Sequence, residues 1–539
     1  MRIAVVGATG NAGTAVLREL AARDEVESIL GIARRLPNRE MEPYRQADWR
    51  AIDIQFEHAR ADLEKALNGY DAVIHLAWLI QPNKERDLLR RTNVDGTRHV
   101  LEAAAAAGVR HIVVASSVGA YSPVHDNELR DESWPTEGIE GSHYSVDKAA
   151  QERVIDEFQA AHPDMTVARL RPALKFQGGA GSEIQRYFLG NWVPVQLLRF
   201  GRPPIIPFPK DVRAQAVHTD DVARAYVLAA LKGAEGAFNI CADDVLDAAR
   251  IGGVVTGNSK FGRVVPVSSK ALRPLVKAAH RTGVLAADEG WLDMALHVPL
   301  MDNSRAKQEL DWWPSMSGAA ALEELIQGMA EGSGKRSAPM RPRDPQSTAP
   351  FTLPGPAHQL PHHIDALALR QYMSDHLAGA TAGLNRIQKL AEAFMQTPKY
   401  GQLATVAEEI RVEHHYLEEL IQAQGFPRPG VTAPALWVGE RLARVKSFFP
   451  QGVKTTPSVL VLETELMMSA VTGKLHGWRS LMPISDALGV PEKVFEELAD
   501  DALRQYNILQ EVHDYARQDA FNKAAETDPD DALPTMTNQ

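Results

Sequence analysis

A tyrosine and a lysine four residues apart, in Tyr144-Ser145-Val146-Asp147-Lys148, are the residues of this chain best equipped for chemistry. If a helix begins there, positions 144 and 148 lie on one face. An ammonium beside a phenol stabilises the phenolate and lowers its pKa from about 10 towards the working pH, so the tyrosine becomes a usable acid or base. By itself, an exposed i,i+4 pair without catalytic duty is the commoner explanation of such a spacing. A second candidate, Ser117, closes the apolar run His111-Ile112-Val113-Val114-Ala115-Ser116-Ser117. Open α/β sheets place ligands at such strand ends.

The element that must position these groups is at the start of the chain. Ile3-Ala4-Val5-Val6 is too short for a helix and is bounded by glycine, so it reads as a strand buried on both faces; Val16, Leu17, Leu20 and Ala21 then follow a helical pattern. Between them runs Gly7-Ala8-Thr9-Gly10-Asn11-Ala12-Gly13. Gly7 allows the turn, Gly10 lets the backbone approach a pyrophosphate, and Gly13 lets helix and strand pack closely. The helix N-terminus offers free N–H groups and a positive dipole end to the phosphates. Strand, glycine turn and helix in this order predict dinucleotide binding.

Ser28–Ala33 reads as a second strand, followed by Arg34-Arg35 where an acid would bind the ribose hydroxyls of NAD. Arginine there accommodates a 2′-phosphate, so the pattern leans towards NADP over NAD, although two arginines beside a loop are often only solvated charge. Further strands are expected over 49–54, ending at Asp53, and over 72–77. A helix through Leu63 and Leu67 separates them, and another opens at Asn93-Val94-Asp95-Gly96-Thr97. Strands alternating with helices predict a doubly wound parallel sheet of the Rossmann type.

These motifs together resemble the extended short-chain dehydrogenase/reductases, also called NAD-dependent epimerase/dehydratases, over residues 1–330. The resemblance rests on Gly7-x-x-Gly10-x-x-Gly13, Asp53, His75-Leu76-Ala77, Asn93-Val94-x-Gly96-Thr97, Ser116-Ser117-x-x-x-Tyr121, Tyr144-x-x-x-Lys148, Arg171-Pro172 and Val217-His218-Thr219-Asp220-Asp221-Val222-Ala223. It implies that Tyr144 is the catalytic acid/base, that Lys148 binds the nicotinamide ribose and tunes the tyrosine, and that Ser117 hydrogen-bonds the reacting oxygen. It also implies that Thr9, Asn11 and Ala12 join the glycines around the cofactor, that Asp53 faces the adenine, and that Ala77 and Asn93 line the site.

Members that act on nucleotide sugars carry an asparagine after the arginine-led strand, where Arg169-Leu170-Arg171-Pro172-Ala173-Leu174-Lys175-Phe176 has Leu174. The Arg-Pro version resembles members that act on ketones or alcohols of lower polarity. Residues 176–215, with Phe188, Trp192, Val193, Leu197 and Leu198 among Arg186, Arg199, Arg202 and Lys210, read as a substrate subdomain. Asp220, Asp221 and His218 read as structural groups at a helix start. Leu310-Asp311-Trp312-Trp313-Pro314 and the following helix resemble the family's closing segment.

A formal net charge of -11 argues against nucleic acid or an anionic membrane as the main partner. The single cysteine, Cys241, excludes an intrachain disulfide and a cysteine metal site. We expect no signal peptide and no apolar run of the roughly 20 residues that cross a bilayer, hence a cytoplasmic protein.

Residues 331–363 turn to glycine and then to Pro339, Pro342, Pro345, Pro350, Pro354, Pro356 and Pro361, the composition of a linker; His358, His362 and His363 read as solvated within it. From 364 to 522 apolar residues recur at steps of three and four, predicting a separate all-α bundle, with shorter helices over 436–448 and 459–478; residues 523–539 read as a disordered tail. The bundle weakly resembles ferritin-like proteins. Glu413, His414, Glu463, Glu465, Glu511 and His513 lack the Glu-x-x-His spacing of carboxylate-bridged metal sites, so no metal is expected there. The leading expectation is an NAD(P)-dependent oxidoreductase on a small carbonyl or alcohol, with the helices serving homo-oligomer assembly or a protein partner. A sugar epimerase/dehydratase, and a dinucleotide-binding redox-sensing scaffold with a partner-binding or metal-binding helical bundle, are the alternatives.

Overall fold

Arg2–Val6 (β1) forms a strand in which Ile3, Ala4 and Val5 are fully buried. It leads through the glycine turn into Asn11–Ala21 (α1) and Ser28–Ala33 (β2). The computed structural model describes residues 1–37, 39, 42–80, 86–189, 195, 198, 205–257, 263–282, 285–334, 337, 339–340, 360–394, 397, 399–426, 456–518 and 520–521. It divides into two units, Met1–Pro345 and Gln346–Gln539.

The first unit adds Asp48–Ala51 (β3), Ala59–Leu67 (α2), Ala72–His75 (β4), Gly96–Ala106 (α3) and His111–Ala115 (β5). His143–Ala161 (α4), Thr166–Pro172 (β6), Thr219–Lys232 (α5) and Gly236–Ile240 (β7) complete its frame. The strands make a seven-stranded sheet in the order β7-β6-β5-β4-β1-β2-β3, parallel throughout. Strand order reverses beside β1, where doubly wound sheets open a crevice for ligand. Alternation along β1 feeds two cores: Ile3 and Val5 pack with Leu17, Tyr226 and Phe238, whereas Ala4 and Val6 pack with Leu63, Leu101 and Ile155. Helices therefore cover both faces, and burying the strands on both sides supplies most of the stabilisation.

Several expected boundaries move. β3 stops at Ala51, because an edge strand buries only Trp49, and Asp53 lies in the loop beyond it. β4 stops at His75, before Leu76-Ala77. The helix expected to open at Asn93 is already under way: Arg86–Arg90 is helical, Arg91–Asp95 makes a wider turn, and α3 continues from Gly96. Gly96 is a packing residue there, since a Cβ would lie 2.8 Å from the Ile54 side chain. Around the expected subdomain, Ile205–Pro209 pairs in parallel with Arg263–Val267. Trp192, Val193, Leu197, Arg199 and Arg202 lie outside the described residues.

The stretch read as linker contributes to the first unit. Met340 is fully buried, and the buried Ser337 hydroxyl donates to the Thr9 carbonyl at 2.7 Å. Proline-rich composition hid this packing, which needs only single side chains and no periodic element.

The second unit contains Ala366–Ala393 (α8), Tyr400–Ala423 (α9), Pro457–Leu481 (α10) and Glu492–Arg517 (α11); α6 and α7 denote Glu289–His297 and Gly318–Glu331 of the first unit. α8 packs on α9 and α10, and α11 on α9 and α10. α10 is a full-length helix of 25 residues, longer than expected. The helix expected over 436–448 and the tail at 523–539 lie outside the described residues, as does His358. No described helix is long and apolar enough to cross a membrane.

Candidate active site

The ends of β1, β2 and β4 converge on the glycine turn. Gly7 has φ +88°, and a Cβ on it would lie 2.5 Å from the Ala77 nitrogen, so the chain leaving β4 passes directly over the turn. A Cβ on Gly13 would lie 2.3 Å from the Gly7 carbonyl oxygen. Gly10 differs: its Cβ would meet only the Gly7 oxygen, at an ordinary 3.6 Å. The protein itself therefore does not require glycine at 10, and the space beside it fits a closely approaching phosphate. Gly10 also precedes α1 without a side-chain cap, leaving first-turn N–H groups for an anion. Those groups, with Gly10, would hold the pyrophosphate of a dinucleotide.

The other expected cofactor residues surround this turn unequally. Thr9 and Ala12 are buried, and Asn11 accepts a hydrogen bond from the Gln177 amide. Arg34 and Arg35 follow β2, which the Gly7 N–H meets at the Ile32 carbonyl, 2.8 Å away. The Asp53 carboxylate accepts from the Gln55 side chain at 2.9 Å. Asn93 is 1% exposed and its amide is engaged in both directions by Leu79, accepting from the N–H at 2.7 Å and donating to the carbonyl at 2.9 Å. It holds the loop beyond β4 in place.

Ser142 caps α4 by accepting from the Ser145 N–H, which sets Tyr144 and Lys148 on the first turns of the helix. Tyr144 reaches back to β5, where Ser117 is extended and caps the short turn Val118–Ala120 by accepting from the Gly119 N–H at 3.1 Å. Gly119 makes room for the phenol, since a Cβ there would be 3.0 Å from the Tyr144 ring. Burial pushes the Tyr144 hydroxyl up to about 12, and a hydrogen bond with Ser117 opposes that rise.

Lys148 finds its polar partners away from Tyr144. Its ammonium, 2% exposed, donates to the Ala115 carbonyl at 2.7 Å and to Gln151 at 2.9 Å, and sits 3.4 Å from the centre of the Trp78 ring. Burial lowers the lysine pKa and leaves the phenol protonated at neutral pH. The i,i+4 spacing puts both groups on one face but does not fix where a four-carbon side chain ends.

Several residues around the pair escape the motif reading. Trp78 packs edge-on to Tyr144 with centroids 5.7 Å apart, and Trp291 of α6 packs against its other side at 4.9 Å. Phe188 in turn meets Trp291 at 4.8 Å. Behind the site, Glu152 is 1% exposed and binds Ser116 at 2.5 Å, Arg171 at 2.8 and 3.0 Å, and Arg169 at 3.0 Å. Despite burial, this company holds its carboxyl down at about 2. Arg171 of the Arg-Pro motif is thus a strut beneath Ser116-Ser117. The spacing of Glu152, four beyond Lys148, is the one sequence signal for it. Asp221 is 1% exposed and ties down Arg224, and the fully buried Trp312 donates to the Asp221 carbonyl at 2.7 Å. With His218 accepting from the Asp220 N–H at 3.2 Å, that cluster is structural.

In the helical unit the candidate metal ligands are dispersed. Glu413 pairs with Lys474 and Gln505, Glu463 with Arg386 at 2.7 Å, His414 with Thr381 at 2.8 Å, His513 with Glu465 at 3.2 Å, and Glu511 with Gln402 at 2.5 Å. Among the described residues no three His, Cys, Asp or Glu come together as a metal site.

A parallel seven-stranded sheet, a glycine turn at its switch point and a serine–tyrosine pair at the next strand end define a dinucleotide-binding α/β domain. Residues 3–241 match the NAD dependent epimerase/dehydratase family. An uncharacterised protein of Mycobacterium tuberculosis is 26% identical over 341 residues, which are 62% of this chain and 31% of that protein. The chain thus spans about a third of the length of that relative. The NAD(P)+ L-arabinose 1-dehydrogenase of Haloferax volcanii is 36% identical over 116 residues, 22% of this chain and 41% of the enzyme. A solved dTDP-glucose 4,6-dehydratase of Streptomyces venezuelae, with NAD bound, is 20% identical, with 61% of this chain and 97% of that one covered at a TM-score of 0.47.

Proposed function

We propose that the first unit is an NAD(P)-dependent oxidoreductase acting on a small carbonyl or alcohol of low polarity. The observation that carries the reading is the hydrogen-bonded Ser117–Tyr144 pair, walled by Trp78 and Trp291 beside the glycine turn. When bound, the nicotinamide supplies or accepts the hydride. Tyr144, kept protonated by burial, delivers its proton to the substrate oxygen as negative charge develops, which suits the reducing direction. Ser117 lies within hydrogen-bond reach of the same oxygen and stabilises that charge. Lys148 is the residue that family resemblance assigns to the nicotinamide ribose, and to reach it the ammonium leaves the Ala115 carbonyl. Arg34 and Arg35, in place of an acid after β2, favour NADP over NAD.

Aromatic walls suit an apolar substrate body better than a sugar diphosphate, and Leu174 stands where nucleotide-sugar enzymes carry asparagine. Cytoplasmic action, and assembly through the helical unit, belong to the same reading. The test is to incubate purified full-length protein with NADPH or NADH and a panel of small ketones and aldehydes. Net cofactor oxidation supports the oxidoreductase. Tightly retained NAD with sugar-nucleotide conversion and no net consumption selects the epimerase/dehydratase alternative, and dinucleotide binding without turnover of either kind selects the scaffold.

A further inference from the structure

Behind Lys148 runs a series of buried hydrogen bonds that the motifs do not account for. Gln151, Thr97, His75 and Asn93 are each 0–1% exposed. Lys148 donates to the Gln151 Oε1 at 2.9 Å, the Gln151 Nε2 donates to the Thr97 hydroxyl at 3.1 Å, and that hydroxyl donates to the Asn93 carbonyl at 2.7 Å. The His75 Nε2 meets the same hydroxyl at 3.0 Å.

Elementary proton counting fixes the direction of each bond. An ammonium only donates, so the Gln151 amide turns its oxygen to Lys148 and its nitrogen to Thr97. Thr97 gives its one proton to Asn93, so His75 donates through Nε2. The His75 Nδ1 is buried without a partner among the described residues, and burial together with the Lys148 charge holds the imidazole down at about 3. It is therefore neutral, and Lys148 carries the one charge of the series. At the far end the Asn93 side chain binds the Leu79 backbone in both directions, in the loop whose Ala77 passes over Gly7.

Gln151 is thus the side chain that joins the ammonium to the frame around the glycine turn. The other contacts of the ammonium are the Ala115 carbonyl and the face of the Trp78 ring. The charged groups that face it are Asp147 and Glu152 of α4 and Lys175 of the strand Leu174–Phe176, with Glu152 already bound to Arg171. Burying an ammonium is costly unless acceptors surround it, and Gln151 supplies the side-chain acceptor.

We propose that Gln151 is a positioning residue for Lys148: its amide oxygen keeps the buried ammonium charged and in register with the glycine turn, ready for the nicotinamide ribose. The proposal rests on the reading of the first unit as a dinucleotide-dependent enzyme in which Lys148 meets that ribose. Its test uses the full chain and the variants Gln151→Leu, Gln151→Glu and Lys148→Met. Each is titrated with NADPH and NADH by cofactor fluorescence across the neutral and alkaline range, with thermal unfolding as the folding control.

Where a charged Lys148 holds the ribose, affinity falls as pH rises through the lysine pKa. Losing the acceptor makes the ammonium harder to keep charged, so Gln151→Leu moves this alkaline limb to lower pH by about one unit. A carboxylate at 151 favours the ammonium, so Gln151→Glu moves the limb to higher pH. Lys148→Met lacks the limb. An amide with a purely structural role would instead weaken binding equally at every pH. The proposal is overturned by a limb that is absent from the parent, that Lys148→Met retains, or that both Gln151 variants leave in place or shift in the same direction. A parent that binds neither dinucleotide overturns the reading of the first unit, and this proposal with it.

Discussion

Gly10 and Gly13 lie three residues apart in one motif, yet the structure separates what each is for, and the separation can be measured. A methyl group on Gly13 would lie 2.3 Å from the Gly7 carbonyl oxygen and 2.7 Å from Ala8 backbone atoms, none of which belongs to a flexible side chain. The turn or α1 must move, and overpacking of this kind costs about 1–3 kcal/mol or more. On Gly10 the methyl meets only an oxygen at 3.6 Å, with φ -79° and ψ 179°, a conformation any residue adopts. Lost flexibility of the unfolded chain and a poorer helix cap roughly offset each other, so Gly10→Ala should stay within about 1 kcal/mol of the parent. The methyl does occupy the space assigned to the pyrophosphate, and dinucleotide affinity should fall at least tenfold, about 1.4 kcal/mol. Calorimetric unfolding of the first unit and titration with NADP and NAD read the two effects apart. Equal destabilisation by the two substitutions, or a Gly10→Ala variant with unchanged affinity, refutes the idea that Gly10 is required by a ligand and Gly13 by the fold.

Other consequences concern charge. Glu152→Gln leaves Arg171 buried without its anion and Arg169 with only the exposed Asp156, and should destabilise the first unit by about 3–5 kcal/mol in denaturant titrations at pH 7. The folded-state pKa of Glu152, about 2, lies below the unfolded value of about 4.3, so its contribution is fully present above the latter and is lost as pH falls towards 2; the parent should show this acid sensitivity and Glu152→Gln should lack it. Replacing Arg34 and Arg35 by alanine should weaken NADP at least tenfold and leave NAD within about threefold, measured by titration of each. Equal loss for both nucleotides removes the argument for a 2′-phosphate site.

The sequence makes the sheet legible because its strands are short apolar runs bounded by glycine and separated by helical patterns, and β1, β2 and β5 fall within a residue or two of expectation. β3 and β4 are overestimated, since propensity does not register where an edge strand loses its partner or a chain turns away towards the glycine loop. Ser117, Tyr144 and the glycine turn are legible as types at fixed spacing. Where the Lys148 and Asn93 side chains end is not, because side-chain direction depends on neighbours distant in sequence: Trp78 and Ala115 for the lysine, Leu79 for the asparagine. The packing of Ser337 and Met340 is equally hidden, as a proline-rich stretch gives no periodicity to read. In the helical unit, the apolar stripes announce the helices.

The reading turns on Tyr144 as the group that moves the proton. The most direct measurement follows deuterium from C4-labelled NADPH into a small apolar ketone turned over by the full-length protein, with Tyr144→Phe alongside. The account predicts label in the alcohol product from the parent and a rate lower by about 10²–10⁴ in the variant, with NADPH affinity unchanged. A variant that still transfers label within tenfold of the parent rate contradicts it.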